Sequence, residues 1–197
     1  MIASINPATG EIVRTFEAAT AAEIEAILAR ADAGQSLTRD AIPIRAVIEE
    51  ACKQARQLDR RREIIEDVDD LTVIGDRDAL KQVLLILLDN AIKYTTEEIT
   101  VSAEAAGKQV VIRVHDNGSG ISPEKLEHVF DRFYRGKPNP NVQGFGLGLP
   151  IAKALIEGQG GKIEIQSKSS QGTTVKISLN STKENKSFPR GNPISNL

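Results

Sequence analysis

The stretch DRDALKQVLLILLDNAIKYT, residues 76 to 95, constrains the fold most. Asp76 offers an N-cap oxygen, and apolar residues at 80, 83, 84, 87, 88, 91 and 92 recur at helical spacing. An apolar stripe that broad belongs to a helix covered on most of its circumference, so the helix must lie in a layer against other elements. Near its end stands Asn90, an amide among leucines that needs a partner or costs stability. Lys93 follows one near-turn later and can face the same cleft.

The surrounding pattern supplies the other layer. Alternating apolar residues predict strands at 62–68, 71–75, 98–105, 109–115, 161–167 and 173–179. Further helices are expected at 20–34, from Pro43 to Arg61, around 123–133 and at 147–158. Thr20 with Glu23 forms a capping box for the first, and Ile44, Val47, Ile48, Ala51, Cys52, Ala55 and Leu58 form the stripe of the second. A short strand is expected at EIVRTF, residues 11–16. Together these predict an α/β (α+β) two-layer sandwich, a mixed sheet with helices on one face.

Charge and cysteine content exclude several classes. Lys plus Arg number 25 and Asp plus Glu 27, so no net field attracts nucleic acid or anionic lipid. One cysteine, Cys52, leaves no internal disulfide and no thiolate metal cluster, and it reads as a small core residue. The start lacks a signal-peptide pattern, and VLLILL at 83–88 is far too short to span a bilayer, so a cytoplasmic protein is the expectation. NSTKENKSFPRGNPISNL, at the end, is polar and aperiodic; 181–197 is expected to be a disordered tail.

Four short stretches carry chemistry. Asn90 reads either as a satisfied helix-end amide or as an oxygen ligand for a hard cation such as magnesium. HDNGSGI, residues 115–121, sets an acid at a strand end before two glycines. A carboxylate at Asp116 only accepts hydrogen bonds, which suits the exocyclic amine of adenine and opposes the carbonyl of guanine. Glycines there let a planar group approach backbone. GFGLGLP, residues 144–150, opens a helix and exposes amides that can cradle an anion. It is neither a P-loop nor a dinucleotide fingerprint, because the lysine, hydroxyl and spacing of those motifs are missing. QGTTVKI enters the last strand, where Thr173 or Thr174 could set a hydroxyl beside Asp116.

In this order the four stretches resemble the ATP-binding catalytic domain of sensor histidine kinases, a Bergerat-type fold within the GHKL group that includes gyrase-type and chaperone ATPases. DNAIKYT is similar to the N box, DNGSGI to the first glycine box, FDRFYR at 130–135 to the aromatic-rich lid box, and GFGLGL to the second glycine box. The resemblance covers about 37–180, with the lid at 117–145.

It implies ATP and Mg2+ as cofactors. Asn90 would hold magnesium, Lys93 would approach the phosphates, and Arg132 and Arg135 would reach phosphates or a partner domain. Tyr94, Asp116, Gly118, Gly120 and Ile121 would line the base side. Gly144, Gly146, Leu147, Gly148 and Leu149 would form the hinge and phosphate cradle, with Thr173 beside Asp116. The family usually carries a polar residue one turn before the N-box asparagine; here Ile86 stands there.

The resemblance also implies partners: a histidine-bearing dimerisation domain and, indirectly, a response regulator. The sequence holds two histidines, His115 at a strand end and His128 in the lid, and neither lies on a helix upstream of Asn90. Residues 4–31 resemble instead the N-terminus of succinate-semialdehyde-type aldehyde dehydrogenases. LARADAGQ, at 28–35, is similar to the end of a kinase dimerisation helix. The expectation is an atypical segment at 1–36 joined to a kinase domain that transfers the γ-phosphate to a histidine elsewhere. The alternative is a non-enzymatic ATP-binding module that docks to a helical partner.

Overall fold

The computed structural model describes residues 37–134 and 146–182, together with the backbone of 2–5 and 12–16. The chain divides into two compact units, Met1–Gln35 and Ser36–Leu197. In the first, β1 (Ile2–Ile5) pairs antiparallel with β2 (Ile12–Phe16), with a register shift between Ser4 and Ile5. The expected helix at 20–34 lies outside the described residues, as does the tail beyond Thr182.

The second unit is the layered sandwich. It begins with β3 (Asp40–Pro43) and α1 (Ile44–Leu58), then β4 (Ile64–Val68), β5 (Thr72–Gly75) and α2 (Arg77–Tyr94). The hairpin β6 (Ile99–Ala106) and β7 (Gln109–Asp116) follows, then a single turn, α3 (Pro123–Leu126). Helix α4 (Gly148–Gly158) and the hairpin β8 (Lys162–Ser167) and β9 (Thr173–Asn180) complete it. The main sheet runs β4-β6-β7-β9-β8, with β4 parallel to β6 and the other pairs antiparallel.

Helices α1, α2 and α4 form the second layer, with α2 packed between the other two. Ile48, Leu84, Leu88, Ile99, Ile112, Ile156 and Ile177 are fully buried where helices and sheet meet. Cys52 is buried on α1, and burial pushes its thiol up to about 12, so it is an inert core residue.

Several boundaries differ from the sequence expectation. Pro43 ends β3 and acts as the N-cap of α1, which stops at Leu58, three residues short of Arg61. Strand β3 was not foreseen, because DAIP alternates too briefly; its register with β5 comes from tertiary pairing. Ile92 is only half-buried, and Ala79 takes its place in the buried stripe of α2. The helix expected over 123–133 closes after Leu126. His128 and Asp131 then make tight turns, their amides donating to Lys125 and His128 carbonyls at 3.0 and 2.9 Å. Phe133 takes φ 64°, and its amide donates to the Gly146 carbonyl at 3.0 Å, drawing the chain away from a helical path.

Candidate nucleotide site

Strand β7 ends one residue later than its pattern suggests, and that residue is Asp116. Its side chain is 8% exposed, on the helix side of the sheet end. Oδ1 accepts the Gly118 amide at 2.9 Å, and Thr173 is the register partner of Asp116 on β9. Burial pushes the carboxyl above the ordinary carboxylate range, only partly offset by the Gly118 amide, the neighbouring His115 and the Thr173 amide. A buried carboxylate that accepts one backbone amide keeps lone pairs for a further donor.

The glycines after Asp116 are required by close approach. A Cβ on Gly118 would lie 2.4 Å from the carbonyl oxygen of Tyr94, so the turn passes directly against the end of α2. Gly120 has φ +66°, and a Cβ there would lie 1.9 Å from the Lys168 carbonyl oxygen. A cleft of about 380 Å³ opens at this junction, lined by Lys93, Tyr94, Thr95, Asn117, Gly118 and Ser119 among others. Tyr94 is 56% exposed.

Ser167, which the sequence reading did not single out, and Gly172, the glycine of QGTTVKI, hold the glycine turn from the other side. Ser167 Oγ accepts the Ile121 amide at 2.8 Å, donates to the Gly172 carbonyl at 2.7 Å and lies 3.0 Å from Thr173 Oγ1. The Gly172 amide donates to the Gly118 carbonyl at 3.0 Å, and a Cβ on Gly172 would meet the Asp116 carbonyl oxygen at 2.0 Å. The Thr173 hydroxyl is therefore turned to Ser167, while the Thr174 hydroxyl meets His115. A serine at a strand end gives no period or motif, and only the fold brings it to Ile121.

Asn90, Lys93 and Gly148, the residues expected on the phosphate side, lie on α2 and α4. Gly148 opens α4 against α2: a Cβ there would lie 3.1 Å from Ile86 Cγ2 and 3.8 Å from Asn90 Nδ2. Ile86 thus packs against the helix start, where the family pattern expects a second polar group. The first-turn amides of Gly148 and Leu149 precede the intrahelical ladder, whose first bond is Ile151 to Leu147 at 3.1 Å. Leu147 is buried, and Gly146 has φ +68° beside Tyr134. Lys93 pairs with Asp89 one turn earlier, both half-exposed. An exposed pair of this kind is worth roughly 0.2–1 kcal/mol, so leaving it for a phosphate costs little. Arg132 is exposed in the turns after α3. Arg135 and Gly144 lie outside the described residues.

Among the described residues no cluster of three His, Cys, Asp or Glu side chains could hold a metal ion. Asn90 beside the start of α4 does fit a magnesium ion that keeps its waters and shares phosphate oxygens with a nucleotide, since such an ion needs one or two protein oxygens.

Fold and site together define an ATP-binding domain of the histidine kinase type, a mixed sheet backed by helices with an acid and glycine turn at one strand end. Residues 75–183, more than half of the chain, match the family of histidine kinase-, DNA gyrase B-, and HSP90-like ATPases, and the chain belongs to it. The sensor histidine kinase YkoH of Bacillus subtilis is 40% identical over 129 residues, 64% of this chain and 28% of that protein. Sensor protein SrrB of Staphylococcus aureus is 42% identical over 108 residues, 53% of this chain and 18% of that protein. The chain therefore spans less than a third of either relative. The solved mycobacterial sensor histidine kinase MprB superposes with TM-score 0.66 at 27% identity, covering 73% of this chain and 98% of that one. These comparisons do not bear out the aldehyde dehydrogenase likeness of residues 4–31. Among the described residues no helix is long and apolar enough to cross a membrane.

Proposed function

We propose that this chain binds ATP with magnesium and donates the γ-phosphate to a histidine carried by another domain or chain, a histidine-bearing dimerisation domain that in turn supplies a response regulator. The observation that carries the reading is Asp116: a buried carboxylate at a strand end, two residues before Gly118, which is pressed against the end of α2 and lines the cleft at Tyr94.

In this reading Asp116 accepts the adenine amine, and Gly118, Gly120 and Ile121 give the base room. Tyr94 flanks it, and Thr173 stands beside Asp116 on the neighbouring strand. Asn90 supplies an oxygen to magnesium; Lys93, Arg132 and Arg135 compensate phosphate charge. Gly144, Gly146, Leu147, Gly148 and Leu149 form the hinge and amide cradle where a lid spanning 117–145 meets α4. Magnesium, when bound with ATP, draws charge from the phosphate oxygens. The protein positions the γ-phosphorus for in-line attack by an imidazole nitrogen. The new N–P bond forms as the bond to the β–γ bridging oxygen breaks, and ADP leaves.

Titration with a fluorescent ATP analogue, with and without magnesium, tests the binding half. Saturable binding that ATP displaces and magnesium strengthens is expected; binding displaced equally by GTP would contradict the adenine reading.

A further inference from the structure

His115 directly precedes Asp116 on β7, so its side chain leaves the opposite face of the sheet. There its ring is held at both nitrogens. Nδ1 lies 2.9 Å from Thr174 Oγ1 on the neighbouring strand β9, and Nε2 lies 3.1 Å from Asn117 Oδ1. A carboxamide oxygen only accepts, so Nε2 donates to Asn117, while the Thr174 hydroxyl can serve Nδ1 as donor or acceptor. The imidazole therefore spans from β9 to the first residue of the turn that follows Asp116.

Backbone bonds fix the later part of that turn, the Gly172 amide donating to the Gly118 carbonyl at 3.0 Å and the Ser170 amide to the Ser119 carbonyl at 2.7 Å, but neither reaches the Asn117 side chain. Asn117 and Ser119 are exposed and Gly118 has no side chain, so no apolar packing holds the segment. On the inner side Gly118 donates to Asp116 Oδ1 at 2.9 Å. On the outer side His115 holds Asn117. The two contacts grip consecutive residues of one turn from opposite faces of the sheet.

We propose that His115 is a positioning residue for base recognition: by fixing Asn117 to β9 it holds the Asp116–Gly118 turn in the geometry that reads adenine. The inference rests on the role given to Asp116 above. His115 does not touch the base. Its imidazole sets where the carboxylate and the Gly118 amide stand, and small displacements of a recognition group weaken binding steeply.

The test compares His115→Leu, His115→Gln and Asn117→Ala by calorimetric titration with ATP and with GTP, beside thermal melting. His115→Leu should weaken ATP binding about five- to tenfold, the scale of one or two hydrogen bonds, and narrow the ATP-to-GTP ratio. His115→Gln, whose amide can donate to Asn117 and accept from Thr174, should restore most of both. Asn117→Ala should reproduce the loss, and does so even if His115→Leu fails to fold. ATP binding within twofold of the parent in His115→Leu or Asn117→Ala would overturn the proposal. So would a loss in His115→Leu that His115→Gln does not recover, which marks a packing role. If Asp116→Asn also binds like the parent, the Asp116 reading fails; if Asp116→Asn binds weakly while the His115 variants bind normally, only the clamp fails.

Discussion

The backbone amide of Asp76 donates to Gln159 Oε1 at 2.8 Å, joining the start of α2 to the residue just past the end of α4. Gln159 is buried, and its Nε2 donates to the Leu155 carbonyl at 2.9 Å. Asp76 itself caps α2 through Ala79 and accepts the Thr38 amide and hydroxyl at 3.1 and 3.2 Å. The helices that carry Asn90 and Gly148 are thus tied together at the end remote from the cleft.

Asp76→Ala should cost about 1–2 kcal/mol of stability in urea unfolding, the scale of a lost N-cap. Burial alone would raise the Asp76 carboxyl, but the Ala79 and Thr38 hydrogen bonds leave it below its ordinary value. A depressed folded value means the stability it adds is present above the ordinary carboxylate range and lost as pH falls through it to the lowered value. The difference between parent and Asp76→Ala should therefore shrink on acidification. A constant difference between pH 7 and pH 3 would contradict this account of Asp76.

Asn90→Ala should remove the gain in ATP affinity that magnesium gives the parent, while binding without magnesium changes little. Titrations with ATP in EDTA and in excess magnesium check it. A variant that keeps the full magnesium-dependent gain would show that Asn90 is not the metal ligand.

Gly120→Ala forces a left-handed backbone on an L side chain and drives its Cβ into the Lys168 carbonyl, so both thermal stability and ATP affinity should fall. The conformational cost alone is about 1–2 kcal/mol. Gly107→Ala is the control: φ is +63°, but nothing lies within 4 Å of the added Cβ. It should lose stability and bind ATP as the parent does.

The chain by itself should take no acid-labile phosphate from γ-labelled ATP, and a separate histidine-bearing dimerisation domain from a compatible kinase should become labelled when added. His115 is held by Thr174 and Asn117 on the face of the sheet opposite Asp116. His128 needs the closer control. No acid follows it in sequence, yet Asp131, three residues on, meets its Nδ1 at 2.8 Å and leaves Nε2 as a potential nucleophile. Label on the isolated chain that vanishes in His128→Gln would contradict transfer to another domain.

The layer arrangement was legible because α2 and the strands of two hairpins repeat their apolar residues over several periods, and burial follows that repeat. Asp116, Gly118 and Gly120 stood out only jointly with the other three stretches, since an acid and glycines ending a strand also suit a hairpin turn. What escaped depends on tertiary contact. Ser167 reaches Ile121 only because β8 and β9 fold back beside the turn. Strand β3 exists only through pairing with β5. The helix expected over 123–133 has helical spacing, but the Phe133–Gly146 contact competes with its last turns.

The most direct test of the central claim is the affinity for ATP of Asp116→Asn against the parent, measured by calorimetry with magnesium present. Asparagine keeps the size and can still accept the Gly118 amide, but it replaces one acceptor by a donor facing the adenine amine. Because burial raises the parent carboxyl, the variant also loses a buried charge, so its fold should be no less stable. The account predicts a loss of about 1.5–3 kcal/mol, roughly 10- to 150-fold in affinity, with the melting temperature kept. An affinity within twofold of the parent would contradict it.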